Sequence, residues 1–271
     1  TCALPISRMA LALARTAADH GASLLNYVRV TGLLKEPSGA VSGVVAVDEE
    51  TGRSRELRAR VPFIEPLKGG LCTQALLNPL YGPDGLNLIR AGASAEQVVK
   101  TLTEADAGRA HRQLHVLGAD GKFAAHTGTE CVPWCGHTIE QDFSVAGNML
   151  AGPQVVSETA RYFRENAAMP LPRRLIGALK AGERAGGDKR GKQSAALVIY
   201  GAEEYSELDL RVDDHVEPLL ELARLEAASR ERWTTFRPFL ATRENPAGTV
   251  DRATIDAAVE AAHAKARSAA A

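Results

Sequence analysis

Two stretches of this chain, and a few scattered positions, combine residue types that could do chemistry. Gly186-Gly187-Asp188-Lys189-Arg190-Gly191-Lys192-Gln193-Ser194 is a glycine-rich, charged loop that runs straight into the apolar stretch SAALVIY. Cations at a strand mouth can bind an anionic or carboxylate-bearing ligand. Arg190 offers a two-pronged fork, Lys189 a point charge, and Asp188 can orient Arg190 or a ligand amine. Gln193 and Ser194 fall where the chain enters the core. The same residues also suit a solvated turn whose charges face water. Leu210-Arg211-Val212-Asp213-Asp214-His215 sets two adjacent carboxylates beside an imidazole, a combination used in acid-base chemistry and metal ligation. Alternate strand residues point to opposite faces, so Asp213 and Asp214 need not converge. Asp214 could instead cap the helix after His215, and Arg211 could pair with Asp213.

Cys131-Val132-Pro133-Trp134-Cys135-Gly136-His137 has three zinc-type ligands at poor spacing, with no second Cys/His pair elsewhere. Free buried cysteines are the expectation, and no metal site. Thr127 and Asn148 complete the candidate set, because polar groups at strand ends often line a cleft.

The elements that must position these residues follow from pattern. Leu71 to Leu77 reads as a strand, and Tyr81-Gly82-Pro83-Asp84-Gly85 as a turn before a short helix to Arg90. Ser94 and Gln97 form a capping box for a helix reaching about Ala105. Arg112 to Leu117 and Lys122 to Thr127 read as strands joined at Asp120-Gly121, a hairpin dipeptide. Phe143 to Gly147 is a further strand. Pro153 and Pro172 open helices that end near Asn166 and Gly182. Ser194 to Tyr200 and Leu208 to Val212 are strands. A helix follows from Val216 to about Ala228, with Leu219, Leu220, Leu222 and Leu225 on its apolar side. This order predicts an α+β layered domain over 62–228. The extension 229–271 contains WTTFRPF, which can dock, and an Ala-rich helix that suits a frayed end or packing in a homo-oligomer.

Ahead of it, Met9 to Ala18 is rich in helix formers. Leu24 to Val30, Val41 to Asp48 and Ser54 to Val61 read as strands, with turns at Pro37-Ser38-Gly39 and Glu50-Thr51-Gly52. Thr1 to Ser7, TCALPIS, reads as translated sequencing-adapter sequence and is set aside from the fold.

Bulk properties narrow the classes. Among 271 residues, 32 are basic and 33 acidic, giving a net charge of -1, and aromatics make up 5%. Neither an electrostatic footprint nor a stacking platform for nucleic acid is present, nor attraction to an anionic membrane. No apolar run approaches the roughly 20 residues a bilayer span needs, and the N-terminus does not resemble a signal peptide. With four cysteines unevenly placed, a reducing cytoplasm is the expected compartment.

Two resemblances refine this. Residues 8–61 are similar to an internal part of the FAD-dependent glycerol-3-phosphate dehydrogenases, where a helix and a β-meander sit inside the flavin domain. That family's Gly-rich phosphate loop has no counterpart here, and Val61-Pro62-Phe63 replaces its closing turn, so no FAD or other cofactor is expected. CTQALLNPLYGPDGL, QLHVLGADGKFAAHTG, CVPWCGH, GNMLAGPQVV, AGGDKRGKQSAALVI and LDLRVDDH then follow in order. Together they resemble the bacterial domain of unknown function 1028, an Ntn-hydrolase-like family. The resemblance implies a four-layer αββα sandwich, a small-molecule ligand and amide-hydrolase ancestry. Ntn hydrolases use an N-terminal Thr, Ser or Cys with its free amine. Thr73 and Thr127 are internal and offer none, and the resemblance implies that the dehydrogenase-like segment replaces the family's first strand. The expectation is a chimera joined near Val61-Pro62, incomplete at the strand that carries the nucleophile and inactive as written.

Overall fold

The computed structural model describes residues 28–35, 41–48, 54–58 and 62–270. The chain divides into two compact units, Thr1–Arg60 and Val61–Ala271. In the first, β1 (Val28–Lys35), β2 (Val41–Asp48) and β3 (Ser54–Arg58) form an antiparallel meander in the order β1-β2-β3. The strand expected over Leu24 to Val30 is described from Val28 and runs on to Lys35. The expected helix near Met9 and the two turns lie outside the described residues.

The second unit is built around an antiparallel sheet in the order β4-β5-β6-β7: Phe63–Glu65, Gly69–Ala75, Arg112–Leu117 and Phe123–Thr127. Helices α1 (Tyr81–Arg90) and α2 (Ala95–Glu104) cover one face of it. Leu71, Ile89, Val98, Leu102, Leu114 and Val116 form the core between them. The Ser94 capping box is present: Gln97 N–H donates to Ser94 Oγ, and Ser94 N–H donates to Gln97 Oε1. Helix α1 starts earlier than the turn reading placed it. Pro83 sits in the first turn, where a missing N–H costs nothing, so the Tyr81–Gly85 signals open a helix instead of delaying one.

A second hairpin, β8 (Gly136–Ile139) with β9 (Ser144–Gly147), packs under α3 (Pro153–Glu165). Strand β8 was absent from the sequence expectations. Helix α4 (Leu171–Arg184) pairs with α3 and links to the hairpin β10 (Ala195–Tyr200) and β11 (Ser206–Val212), which α5 (Pro218–Glu231) covers. Ile176, Leu197, Leu208, Val212 and Leu222 form that core, with Leu219 and Leu225 against it. Leu220, expected on the apolar side of α5, is 57% exposed, because the buried stripe runs through 219, 222 and 225. The tail docks as expected: α6 (Trp233–Phe236) places the Trp233 indole N–H on Glu207 O at 2.7 Å, and α7 (Arg252–Ala270) ends the described chain. The described residues thus form a mixed α/β fold of small antiparallel sheets and seven helices. None of these helices is long and apolar enough to cross a membrane.

Candidate functional site

The β4–β7 sheet has two chemically different faces. Side chains alternate along a strand. The pairings Thr73–Leu114, Gln74–Gln113, Cys72–His115 and Gln113–Thr127 therefore sort them. Leu71, Thr73, Leu114 and Val116 point under α1 and α2. Cys72, Gln74, Gln113, His115 and Thr127 share the opposite face.

Gln113 is the centre of that face and has no exposed surface. The two hydrogens on its Nε2 are shared among three acceptors, Thr127 Oγ1 at 2.9 Å and the carbonyls of Gly136 and Gly147, each at 3.1 Å. Its Oε1 accepts from Gln74 Nε2 at 2.5 Å and from Asn148 Nδ2 at 3.4 Å. One amide thus ties β5, β6 and β7 to both strands of the β8–β9 hairpin. Gln74 and Asn148 are each followed by a residue held at positive φ, Ala75 at 67° and Met149 at 56°. Such backbone is costly outside glycine and persists where the surroundings impose it.

Two imidazole–hydroxyl pairs flank this centre. His115 Nδ1 lies 2.8 Å from Ser144 Oγ, and His137 Nδ1 lies 2.8 Å from Thr127 Oγ1. The two rings meet edge to face, centroids 5.7 Å apart. Burial, with His137 adding to it, pushes His115 down to about 4. His137 is lowered by burial and by His126. Both rings are therefore neutral near pH 7. The other ring nitrogen of His115, Nε2, is buried and has no partner among the described residues. Cys72, across the ladder from His115, is open to solvent, while the protein mass around it pushes its thiol up to about 11. A thiol that water reaches from one side only fits both facts.

Of the residues singled out from sequence, Thr127 and Asn148 belong to this centre. The others lie on the loop and hairpin around β10. Arg190 closes its fork on Asp188, Nε to Oδ1 at 2.9 Å, which lowers that carboxyl. Lys189 Nζ donates to Pro133 O at 2.6 Å, and its backbone N–H bonds Met149 O. Lys192 is held by Glu183 and Glu217. Arg211 pairs with Asp213 at 2.6 Å. Gln193 Nε2 donates to Asp214 Oδ1, and His215 Nδ1 accepts from the Glu217 N–H. Gln193 and Ser194 are exposed instead of entering a core, since the two-stranded β10–β11 sheet buries little at its start. Asp214 is not a helix cap: α5 begins after Glu217, with no side-chain cap. No three His, Cys, Asp or Glu side chains among the described residues gather closely enough to hold a metal ion.

Gln74, Gln113, His115 and Ser144, which gather on this face, were not among the residues singled out from sequence, and His137 entered only through the Cys131–His137 zinc-type spacing. The signal available was RQLHVL, where polar 113 and 115 alternate with apolar 114 and 116. That alternation marks a two-faced strand and leaves open whether the polar face meets water or a ligand.

The description "family of unknown function (DUF1028)" belongs to the family model that matches residues 41–222. The chain belongs to this family. The match begins inside the segment that resembles the dehydrogenases. A crystal structure of a DUF1028 protein, SPO2555 from Silicibacter pomeroyi, is 27% identical and covers 71% of this chain and 84% of its own, with a TM-score of 0.64. The mitochondrial glycerol-3-phosphate dehydrogenase of Schizosaccharomyces pombe is 45% identical over 53 residues, 20% of this chain. The chain spans only 8% of that enzyme's length.

Proposed function

We propose that this DUF1028 protein is a small-molecule-binding domain of Ntn-hydrolase-like, αββα ancestry, with its site on the Gln113 face of the β4–β7 sheet. One observation carries the reading. Gln113, wholly buried, draws three side-chain partners and two backbone carbonyls from four other strands and the Asn148 turn onto one sheet face. A buried amide so fully bonded fixes the surrounding polar groups in place, the preorganisation a binding site needs. A sheet covered by helices on one face is also what half of an αββα sandwich presents. Amide hydrolysis is the ancestral chemistry this reading assigns to the family.

The glycine-rich loop is a weaker site, because Asp188, Glu183 and Glu217 already hold Arg190 and Lys192. The dehydrogenase-like segment carries no flavin in this reading, and the purified protein should lack flavin absorbance.

A screen of small polar molecules, followed through the side-chain amide NMR signals, tests the proposal. Shifts at Gln74, Gln113 and Asn148 are expected. Shifts confined to the Arg190 and Lys192 side chains would move the site to the loop and overturn it.

A further inference from the structure

The neutral polar face has a specific gap in its hydrogen bonding. His115 Nε2 is buried and unpartnered, while Nδ1 is held 2.8 Å from Ser144 Oγ. The ring is thus oriented from one side and unsatisfied on the other. Such atoms in native proteins call for an explanation, and an absent ligand is one. Whichever tautomer is present, Nε2 lacks its complement: an acceptor if it carries the proton, a donor if it does not.

We propose that this face binds an uncharged, hydrogen-bonding ligand group at His115 Nε2, with the His137 ring moving aside to admit it. The inference rests on the site reading above and adds the ligand's charge class and its contact atom.

The groups facing His115 argue for the charge class. Cys72 lies across the ladder on β5, Ala125 on β7, His137 on β8 and Ser144 on β9. Gln113 and its partners Gln74, Thr127 and Asn148 lie on the same face, and His126 bears on His137. None of these is a carboxylate, so a ligand ammonium would lose its water shell with no counter-charge to replace it. None is a Lys or Arg. Burial and the neighbouring His137 both oppose protonation of His115, so an anion would find no cation either. A group such as an amide or alcohol loses least on entering. His137 argues for the entry route: it is exposed, and packs edge to face on the His115 ring. Its exposed side lets it turn outward, at the cost of the bond to Thr127 Oγ1.

The test uses the full chain, uniformly 15N-labelled, at pH 7, titrated with propanamide, propanoate and propylammonium, three probes of similar size. Propanamide should shift His115 Nε2 at least about tenfold more tightly than either ion, the margin of one well-made hydrogen bond. His115→Leu should abolish the propanamide shifts at the neighbouring His137 and Gln113 side chains with the fold retained, judged by the signals of the other histidines. His137→Ala should strengthen propanamide binding several-fold by removing the ring that packs against His115. Equal response to either ion would overturn the charge class. Shifts at Gln74 and Gln113 without His115 would overturn the contact atom and leave the site standing. No shift anywhere on this face would remove both the inference and the site.

Discussion

Gln113 and Thr127 sit directly opposite each other on β6 and β7, and Gln113 Nε2 donates to Thr127 Oγ1 at 2.9 Å. Because that hydroxyl accepts from Gln113, its own proton is free to point at His137 Nδ1, 2.8 Å away. A buried amide thereby sets the orientation of a hydroxyl and, through it, of an exposed imidazole.

Gln113→Leu should destabilise the protein by about 3 kcal/mol. The variant leaves the Gly136 and Gly147 carbonyls, the Gln74 amide and the Thr127 hydroxyl without their shared partner, and four losses of roughly 0.5–1 kcal/mol each amount to that figure. Urea denaturation measures it. A loss below about 1 kcal/mol would mean that water replaces the amide and that Gln113 is not the organising centre.

Acid should weaken the fold in two separate windows. His115 is depressed from 6.5 to about 4, so the unfolded chain binds its proton first. Stability is full above the unfolded value and falls as pH drops from 6.5 towards 4, by at most about 3 kcal/mol. Asp106 gives the second window. Burial alone would raise its carboxyl. Hydrogen bonds from Arg112, Tyr81, the Gly108 N–H and Asn78 outweigh that and hold it down at about 2. Its contribution is present above 3.8 and is lost as pH falls towards 2. Unfolding free energy measured against pH should therefore step twice. In His115→Leu the upper step should shrink to the part that His137, also lowered, contributes, and the lower one should remain.

Ala75→Gly should stabilise the protein by about 0.5–1 kcal/mol. The left-handed backbone at φ 67° costs alanine roughly 1–2 kcal/mol, and the extra freedom glycine gains on unfolding returns part of that. Thermal unfolding reads the change. If Gln74 depends on this strain for its aim at Gln113, the same variant should also weaken propanamide binding.

Local signals were legible in the sequence and cross-strand ones were not. The Ser94–Gln97 capping box and the β6 strand over Arg112–Leu117 appear where four to six residues specify them. Pro83 misled because the same residue suits a turn and a helix's first turn. Strand β8 was hidden beneath a Cys-x-x-x-Cys-x-His spacing that suggests ligands. Its four residues are strand through pairing with β9 and packing under α3, neither of which is local. Thr127 and Asn148 were recognisable as strand-end polar groups. Gln113 was not, because a polar residue inside a strand becomes a site only through register with Gln74 and Thr127. The charged loop drew attention because charge is visible in a sequence, whereas the internal pairs that neutralise it are not.

A crystal structure of the full chain soaked with a mixture of small amides, alcohols, carboxylates and amines tests the central claim most directly. An uncharged molecule within hydrogen-bond distance of His115 Nε2, on the Gln113 face with the His137 ring displaced, is the predicted result. An occupied Asp188–Lys192 loop beside an empty Gln113 face would contradict it.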